Sequence, residues 1–268
     1  IRGLRAAGAG EIRVVDGHGS GGPNKNILSD RLERDVNLFQ DPMLYKRLLN
    51  ALDRSVDAIA LVGYHAMADT TDGFMSHTLT LEPRVKINGR LVGETFLTAG
   101  WGGYYGIPVI LATGDQALVI EASNFIPEIE TVQVKTSPNR QTSHCLPGPL
   151  ARSLIEKSAE LALKKLPKLR PLRVKKPIDV ELTLPTVDLA DFIEIIPRSQ
   201  RLTDKSVSYL ADEYPEAMAF LTNAITLLEQ KRGESLMERV QKLGGYKDVE
   251  RRWLEDIFQE WISAQPSP

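Results

Sequence analysis

The sequence predicts an α/β protein: a mostly parallel sheet flanked by helices, a smaller α+β part towards the carboxyl terminus, and extra terminal helices. Short apolar runs at residues 11–15, 58–62 and 109–112 indicate buried strands, and helical segments separate them. Strands that alternate with helices are typical of a parallel sheet. Residues 178–184 alternate apolar and polar side chains, which predicts a half-buried antiparallel strand in the smaller part.

The composition indicates how many domains the chain can form and which partners it favours. The 268 residues suffice for one large or two small domains, and 42% of them are hydrophobic, enough for a sizeable core. The net charge of -2 does not indicate nucleic acid or a membrane as a partner. No apolar run reaches the roughly 18 residues of a membrane span. A single cysteine, Cys145, excludes an internal disulfide, so we expect a reducing compartment, the cytoplasm.

The amino-terminal elements follow in order. The first ten residues are typical of the last turns of a helix that ends at glycine, and they lead straight into the strand at 11–15. Because a helix before a buried strand is usually the second half of a βαβ unit, we expect that a further strand precedes the numbered sequence. Residues 24–40 are predicted to be irregular, and residues 41–54 to be a helix.

The central stretch contains the strongest turn signal of the chain. Asn88 and Gly89 lie between two apolar runs and predict a β-hairpin over 85–92. The next segments are predicted as helices at 94–105, 116–124 and 149–166, and as strands at 109–112 and 130–135.

The predicted elements group into three consecutive segments of the chain. We predict an α/β domain at 1–145, a smaller α+β subdomain at 146–232 and a helical extension at 233–268. Trp253, Ile257 and Trp261 are four residues apart and form one apolar stripe that needs a partner surface. Residues 164–176 carry seven basic residues and no acidic one, which predicts a solvated linker, with an anion-binding patch as the alternative. The other predicted elements are helices at 188–196 and 215–231, a strand at 207–210, and two helices within 234–264.

Three histidines have contexts that favour a shared metal site. His18 and His65 each follow a predicted strand in a glycine-flanked turn, and His77 ends the loop after His65. The carboxyl ends of parallel strands lie at the same edge of a sheet. Imidazoles with a carboxylate suit zinc and leave a position for water, and Glu94 is the best placed acidic residue. Taken singly, each residue also fits a structural role.

Competing motifs are weaker. The glycines in 17–22 have the spacing of a dinucleotide-binding turn, but no clear helix follows and no acidic strand end lies about 20 residues on. The same loop is similar to an esterase oxyanion loop, yet no Gly-x-Ser-x-Gly elbow occurs. His144 and Cys145 are adjacent, and adjacent side chains of an extended chain point apart, so we predict structural roles for both.

An ordered set of motifs resembles the zinc-dependent D-aminopeptidase family over about residues 1–230. Each motif alone is weak, whereas the set in this order is specific. The motifs are Val15-Asp16-Gly17-His18-Gly19, Gly63-Tyr64-His65-Ala66, Gly73-Phe74-Met75-Ser76-His77, Val92-Gly93-Glu94, Gly103-Tyr104-Tyr105-Gly106-Ile107-Pro108-Val109 and Gly114-Asp115.

The resemblance implies an activity and a set of roles. It implies an aminopeptidase that hydrolyses short peptides with amino-terminal D-residues, such as D-alanine, through a metal-activated water. His18, His65 and Glu94 match the family's metal ligands, and His77 matches its catalytic histidine. It also implies two zinc ions per chain, an Asp-x-Glu motif on a preceding strand that this sequence lacks, and a ring-like homo-oligomer.

Supporting residues and alternative functions complete the hypothesis. Asp16 and Asp115 are candidates for orienting a ligand, and Lys135 and Arg140 for contacting a substrate carboxylate. Asp16 also fits the role of a buried structural aspartate, and Lys135 and Arg140 also fit solvated surface side chains.

Two alternative functions stay open: another metal-dependent amidohydrolase on the same scaffold, and a non-catalytic oligomeric homologue that binds small molecules.

Overall fold

The structure is a computed structural model that describes residues 1–17, 27–39, 51–80 and 83–243, with side chains as far as Gly233. His18, most of the predicted helix at 41–54, and the Trp253, Ile257 and Trp261 stripe lie outside the described residues. Within those residues, no helix is long and apolar enough to cross a membrane.

The described residues form six α-helices and twelve strands. The helices are α1 (Arg2–Ala6), α2 (Glu94–Tyr105), α3 (Gln116–Phe125), α4 (Gly148–Lys165), α5 (Val187–Glu194) and α6 (Tyr214–Leu243). The strands are β1 (Ile12–Val15), β2 (Val36–Phe39), β3 (Ile59–Val62), β4 (Arg84–Ile87), β5 (Arg90–Val92), β6 (Val109–Gly114), β7 (Glu130–Gln133), β8 (Lys135–Asn139), β9 (Thr142–Cys145), β10 (Ile178–Thr183), β11 (Gln200–Thr203) and β12 (Ser206–Ala211).

The chain forms two compact units that interleave along the sequence. The first unit comprises residues 1–64, 95–138 and 142–174, and the second comprises 65–94, 139–141 and the chain from 175. The sequence pattern instead predicts consecutive segments with boundaries at 145 and 232. The interleaving arises because β4 pairs with β10, about 90 residues further along the chain, and local hydrophobic patterns do not reveal such distant pairing.

Parallel strands form the centre of the first unit, as predicted. β3, β6 and β7 are parallel neighbours in the order β3-β6-β7, and β1 pairs in parallel with β2. All six residues of β6 are buried, which fits a central parallel strand covered on both faces. α3 and α4 pack against β6 and β7. The core there includes Ile110, Leu111, Val132, Ala159, Ala162 and Leu169.

An antiparallel sheet forms the second unit, with the strand order β11-β12-β10-β4-β5. β10 buries every second side chain, which confirms the predicted alternation. Asn88 and Gly89 have φ angles of 50° and 76°. Both central residues of a type I′ turn need positive φ, so the predicted hairpin of β4 and β5 is confirmed with its turn chemistry. α5 and α6 pack against β12.

The prediction differs from the structure at five elements. Residues 36–39 form strand β2 rather than irregular chain, and β8, β9 and β11 were not predicted. β8, β9 and β11 are mostly exposed and polar, so they lack the apolar alternation that marks a half-buried strand. Helix α6 continues through residue 243, where a separate helix was expected from 234.

At Gly103, helix α2 packs closely against the backbone of Leu172 in the first unit. An added Cβ would lie 1.7 Å from the Leu172 carbonyl oxygen, and the Arg173 guanidinium donates to the Gly103 carbonyl at 2.8 Å. Because this contact is with backbone, we expect Gly103→Ala to lower the free energy of unfolding by roughly 1–3 kcal/mol, the usual cost of overpacking. Thermal unfolding followed by circular dichroism measures the change.

Gly233→Ala is the matched control, since Gly233 is also helical but has no described atom within 4 Å of an added Cβ. We expect it to raise the free energy of unfolding by up to about 1 kcal/mol, because alanine has the higher helix propensity. Equal unfolding temperatures for the two variants would contradict the packing described for Gly103.

Candidate metal centre

Three side chains of the second unit form a cluster that can hold a metal ion. One ligand atom each from His65, His77 and Glu94 lies within 4.8 Å of the other two. The Glu94 Oε1 atom is 3.6 Å from His65 Nε2 and 3.9 Å from His77 Nε2. The two imidazole rings stack with centroids 3.8 Å apart. His77 is 7% exposed, and the other two side chains are about one-sixth exposed.

The chain reaches His65 through a sharp turn after β3. The Tyr64 N–H donates to the Thr113 carbonyl at 3.0 Å, and the Gly63 N–H donates to the Thr113 hydroxyl at 2.9 Å. These bonds keep the end of β3 in register with β6. Gly63 has a φ of 75°, a conformation that glycine adopts without steric cost. The sheet therefore fixes the backbone directly before His65.

Backbone carbonyls fix the orientation of both imidazoles. His65 Nδ1 lies 3.1 Å from the Ala66 carbonyl oxygen, and His77 Nδ1 lies 2.5 Å from the Met75 carbonyl oxygen. A carbonyl oxygen only accepts hydrogen bonds, so each Nδ1 carries the hydrogen. In a neutral imidazole the lone pair is then on Nε2, the atom that faces Glu94, and this tautomer is the usual one in metal-binding histidines.

Glu94 reaches the cluster from the first residue of α2. Its Oε1 atom accepts a hydrogen bond from the Leu79 backbone N–H at 2.9 Å. A carboxylate is favoured at a helix amino terminus because the helix dipole is positive there. The position of Glu94 is thus set by its helix and by the loop that carries His77.

The donor set fits zinc. Two imidazole nitrogens and a carboxylate oxygen are common zinc ligands, and three protein ligands leave one tetrahedral position for water. The distances from Oε1 to the two Nε2 atoms are too long for hydrogen bonds. They are slightly longer than the spacing of about 3.4 Å expected for two donors about 2.1 Å from one tetrahedral ion.

Arg140 supports the segment before His77. Its guanidinium donates to the Ser76 carbonyl at 2.8 Å, and its own carbonyl accepts from the Met75 N–H at 2.9 Å. Burial lowers the pKa of the guanidinium; the carboxylate of Asp69 opposes this effect and the charge of Arg84 adds to it. The described contacts of Arg140 are therefore within the protein, and its role in substrate binding stays a prediction.

The other candidate residues lie outside this cluster in the described part of the chain. Asp115 is buried and caps α3, where its carboxylate accepts from the Leu118 N–H at 2.9 Å. Asp16 is buried at the end of β1, and Lys135 is half-buried at the start of β8. Their roles in the site stay predictions. His144 and Cys145 are both exposed on β9.

Two groups in the site were missed by sequence analysis. They are the Leu79 backbone N–H and the Thr78 hydroxyl, which donates to the Val92 carbonyl at 3.2 Å. A backbone amide has no sequence signature, and a single threonine after a histidine does not mark a site. The spacing of the histidines likewise gave no indication that the rings of His65 and His77 stack.

Known proteins resemble this chain over most of its length. A model of the D-aminopeptidase family matches residues 1–223, a range that includes all three clustered residues. The D-aminopeptidase of Bacillus subtilis (strain 168) is 30% identical over 214 residues, which cover 79% of this chain and 76% of that protein.

A solved structure also matches this fold. It is the Zn-dependent D-aminopeptidase DppA from Bacillus subtilis, described as a self-compartmentalizing protease. The TM-score is 0.78 at 26% sequence identity, and the match covers 84% of this chain and 81% of that one. With the family match over residues 1–223, this likeness shows that the chain belongs to the D-aminopeptidase family of peptidases.

Proposed function

We propose that this member of the D-aminopeptidase family is a zinc-dependent aminopeptidase, with His65 and Glu94 as zinc ligands and His77 as the catalytic residue. The observation that carries the proposal is the position of Glu94 Oε1, which lies 3.6 Å from His65 Nε2, its partner as a ligand, and 3.9 Å from His77 Nε2, the proposed catalytic atom. The substrate class follows from the family: short peptides that begin with a D-residue such as D-alanine.

The metal is assigned from the donor set and from the relatives. His18 stays our proposed third ligand, on the family resemblance alone. The described cluster offers donors for one ion, and a second ion per chain stays an expectation from the family. When bound, zinc polarises the peptide carbonyl and lowers the pKa of a coordinated water towards about 7.

We propose that His77 moves the proton of the reaction. Hydrolysis forms a C–O bond, breaks the C–N bond, and transfers a proton from water to the departing amine. The Met75 carbonyl holds the hydrogen on His77 Nδ1, so Nε2 is the atom that takes up and returns this proton. The stacked ring of His65 limits rotation of the His77 ring. His65 and Glu94 would hold the zinc ion and take no part in the proton transfer.

Assembly and location are also proposed from the relatives. DppA is described as self-compartmentalizing, and we propose that this chain likewise forms a closed, ring-like homo-oligomer. The cytoplasm stays our expectation for its location.

Removing the carboxylate of Glu94 tests the metal site. We expect Glu94→Gln to weaken zinc binding by about 10-fold to 100-fold or more, because an amide oxygen lacks the negative charge of the ligand. Competition with a chromophoric chelator measures the affinity. Glu181→Gln is the control, since Glu181 is a half-buried carboxylate of the same unit that pairs with Lys86 at 2.9 Å. Unchanged zinc affinity in Glu94→Gln would exclude Glu94 as a ligand.

Replacing His77 separates catalysis from metal binding. We expect His77→Ala to lower kcat on a D-alanyl amide by about 10²-fold to 10⁴-fold, the usual contribution of a general acid–base group, while zinc content is retained. His144→Ala, at an exposed histidine of β9, should keep full activity. Loss of zinc from His77→Ala would make His77 a ligand instead.

Equal turnover of matched D- and L-alanyl amides would contradict the proposed substrate preference.

A further inference from the structure

The hydroxyl of Thr78 lies where three segments of the metal centre meet. The Thr78 side chain is fully buried. Its Oγ1 atom accepts a hydrogen bond from the Ala68 N–H at 3.2 Å and donates one to the Val92 carbonyl at 3.2 Å. Both partners are backbone groups, so the hydroxyl joins two chain segments whatever their side chains are.

Each segment that this hydroxyl joins carries one member of the cluster. Ala68 follows His65 by three residues, Val92 precedes Glu94 by two, and Thr78 itself follows His77. One buried hydroxyl therefore connects the three segments that carry the clustered side chains. Thr78 is not itself among the residues that offer ligand atoms to the cluster.

The backbone on either side of Thr78 supports the same arrangement. Before it, the His77 N–H donates to the Ala66 carbonyl at 3.2 Å. After it, the Thr80 N–H donates to the Thr78 carbonyl at 2.8 Å, which closes a three-residue turn around Leu79. Leu79 has a φ of 65°, unusual for a branched residue, and its N–H is the donor to Glu94 Oε1.

We propose that Thr78 is a positioning residue of the metal centre, whose hydroxyl sets the spacing of the segments that carry His65, His77 and Glu94. This inference rests on the proposed function of those residues. Valine has nearly the shape of threonine but no hydroxyl, so Thr78→Val would leave the Ala68 N–H and the Val92 carbonyl without this partner. Either segment then shifts to satisfy its backbone group, and the ligand spacing changes with it.

Metal titration of the metal-free full-length chain tests the proposal, with Zn²⁺ and Co²⁺ as probes. We expect Thr78→Val to weaken binding of both ions by about 10-fold, as is usual for groups that orient ligands. We also expect a changed visible absorption spectrum for its Co²⁺ form, because the spectrum reports ligand geometry. Thr78→Ser keeps the hydroxyl, and we expect it to restore the wild-type spectrum and an affinity within about threefold of wild type.

Thr95→Val is the matched control. Thr95 is a fully buried threonine next to Glu94 in sequence, and its Oγ1 atom has no hydrogen-bond partner in the described chain. The same chemical change there should leave metal affinity and the Co²⁺ spectrum unchanged. A structural role alone would lower the unfolding temperature of metal-free Thr78→Val without altering the spectrum of its Co²⁺ form.

The outcomes separate this inference from the proposed function. Wild-type affinity and spectrum in Thr78→Val, or equal weakening in Thr78→Val and Thr78→Ser, would overturn the role of Thr78. Failure of the wild-type protein to bind either ion would instead overturn the metal centre itself. If Thr78→Val does not fold, Thr78→Ala takes its place against Thr78→Ser, and equal affinity of these two variants would overturn the inference.

Discussion

The carboxylate of Glu94 faces two imidazole nitrogens, and the surrounding chain holds these three groups together. Each group is largely shielded from water, so its hydrogen-bonding capacity has to be met inside the protein. Backbone carbonyls take the Nδ1 hydrogens of His65 and His77, and the Leu79 N–H binds Glu94 Oε1. Glu94 Oε1 lies 3.6 Å from His65 Nε2 and 3.9 Å from His77 Nε2, distances that are too long for hydrogen bonds. Imidazole nitrogens and carboxylate oxygens are common zinc donors, which is the physical reason to propose a metal at this cluster.

The antiparallel sheet of the second unit explains how such a cluster is kept in place. β4 and β5 form a tight hairpin that β10 extends through four residue pairs. The hairpin ends at Val92, two residues before Glu94, and the Val92 carbonyl accepts the hydroxyl of Thr78. The carboxylate of Glu94, the end of the hairpin and the loop of His77 are thus connected by hydrogen bonds from one buried hydroxyl and one backbone amide.

Local patterns predicted much of this fold and part of the site. The Asn88–Gly89 turn, the alternation along β10 and the buried run of β6 each have a direct physical cause in the sequence. β8, β9 and β11 lack such a cause because they are polar and exposed. Among site residues, the family motifs indicated His65, His77 and Glu94. The contacts of Arg140 with Ser76 and of Asp115 with Leu118 depend on tertiary structure, which residue types do not reveal.

Anomalous diffraction at the zinc edge, on crystals grown with zinc, tests the central claim most directly. We expect an ion about 2.0–2.2 Å from His65 Nε2 and from a Glu94 carboxylate oxygen, the distances of protein zinc sites. His77 Nε2 should face the position of the substrate beside that ion. A fully loaded protein whose zinc contacts neither His65 nor Glu94 would contradict the account.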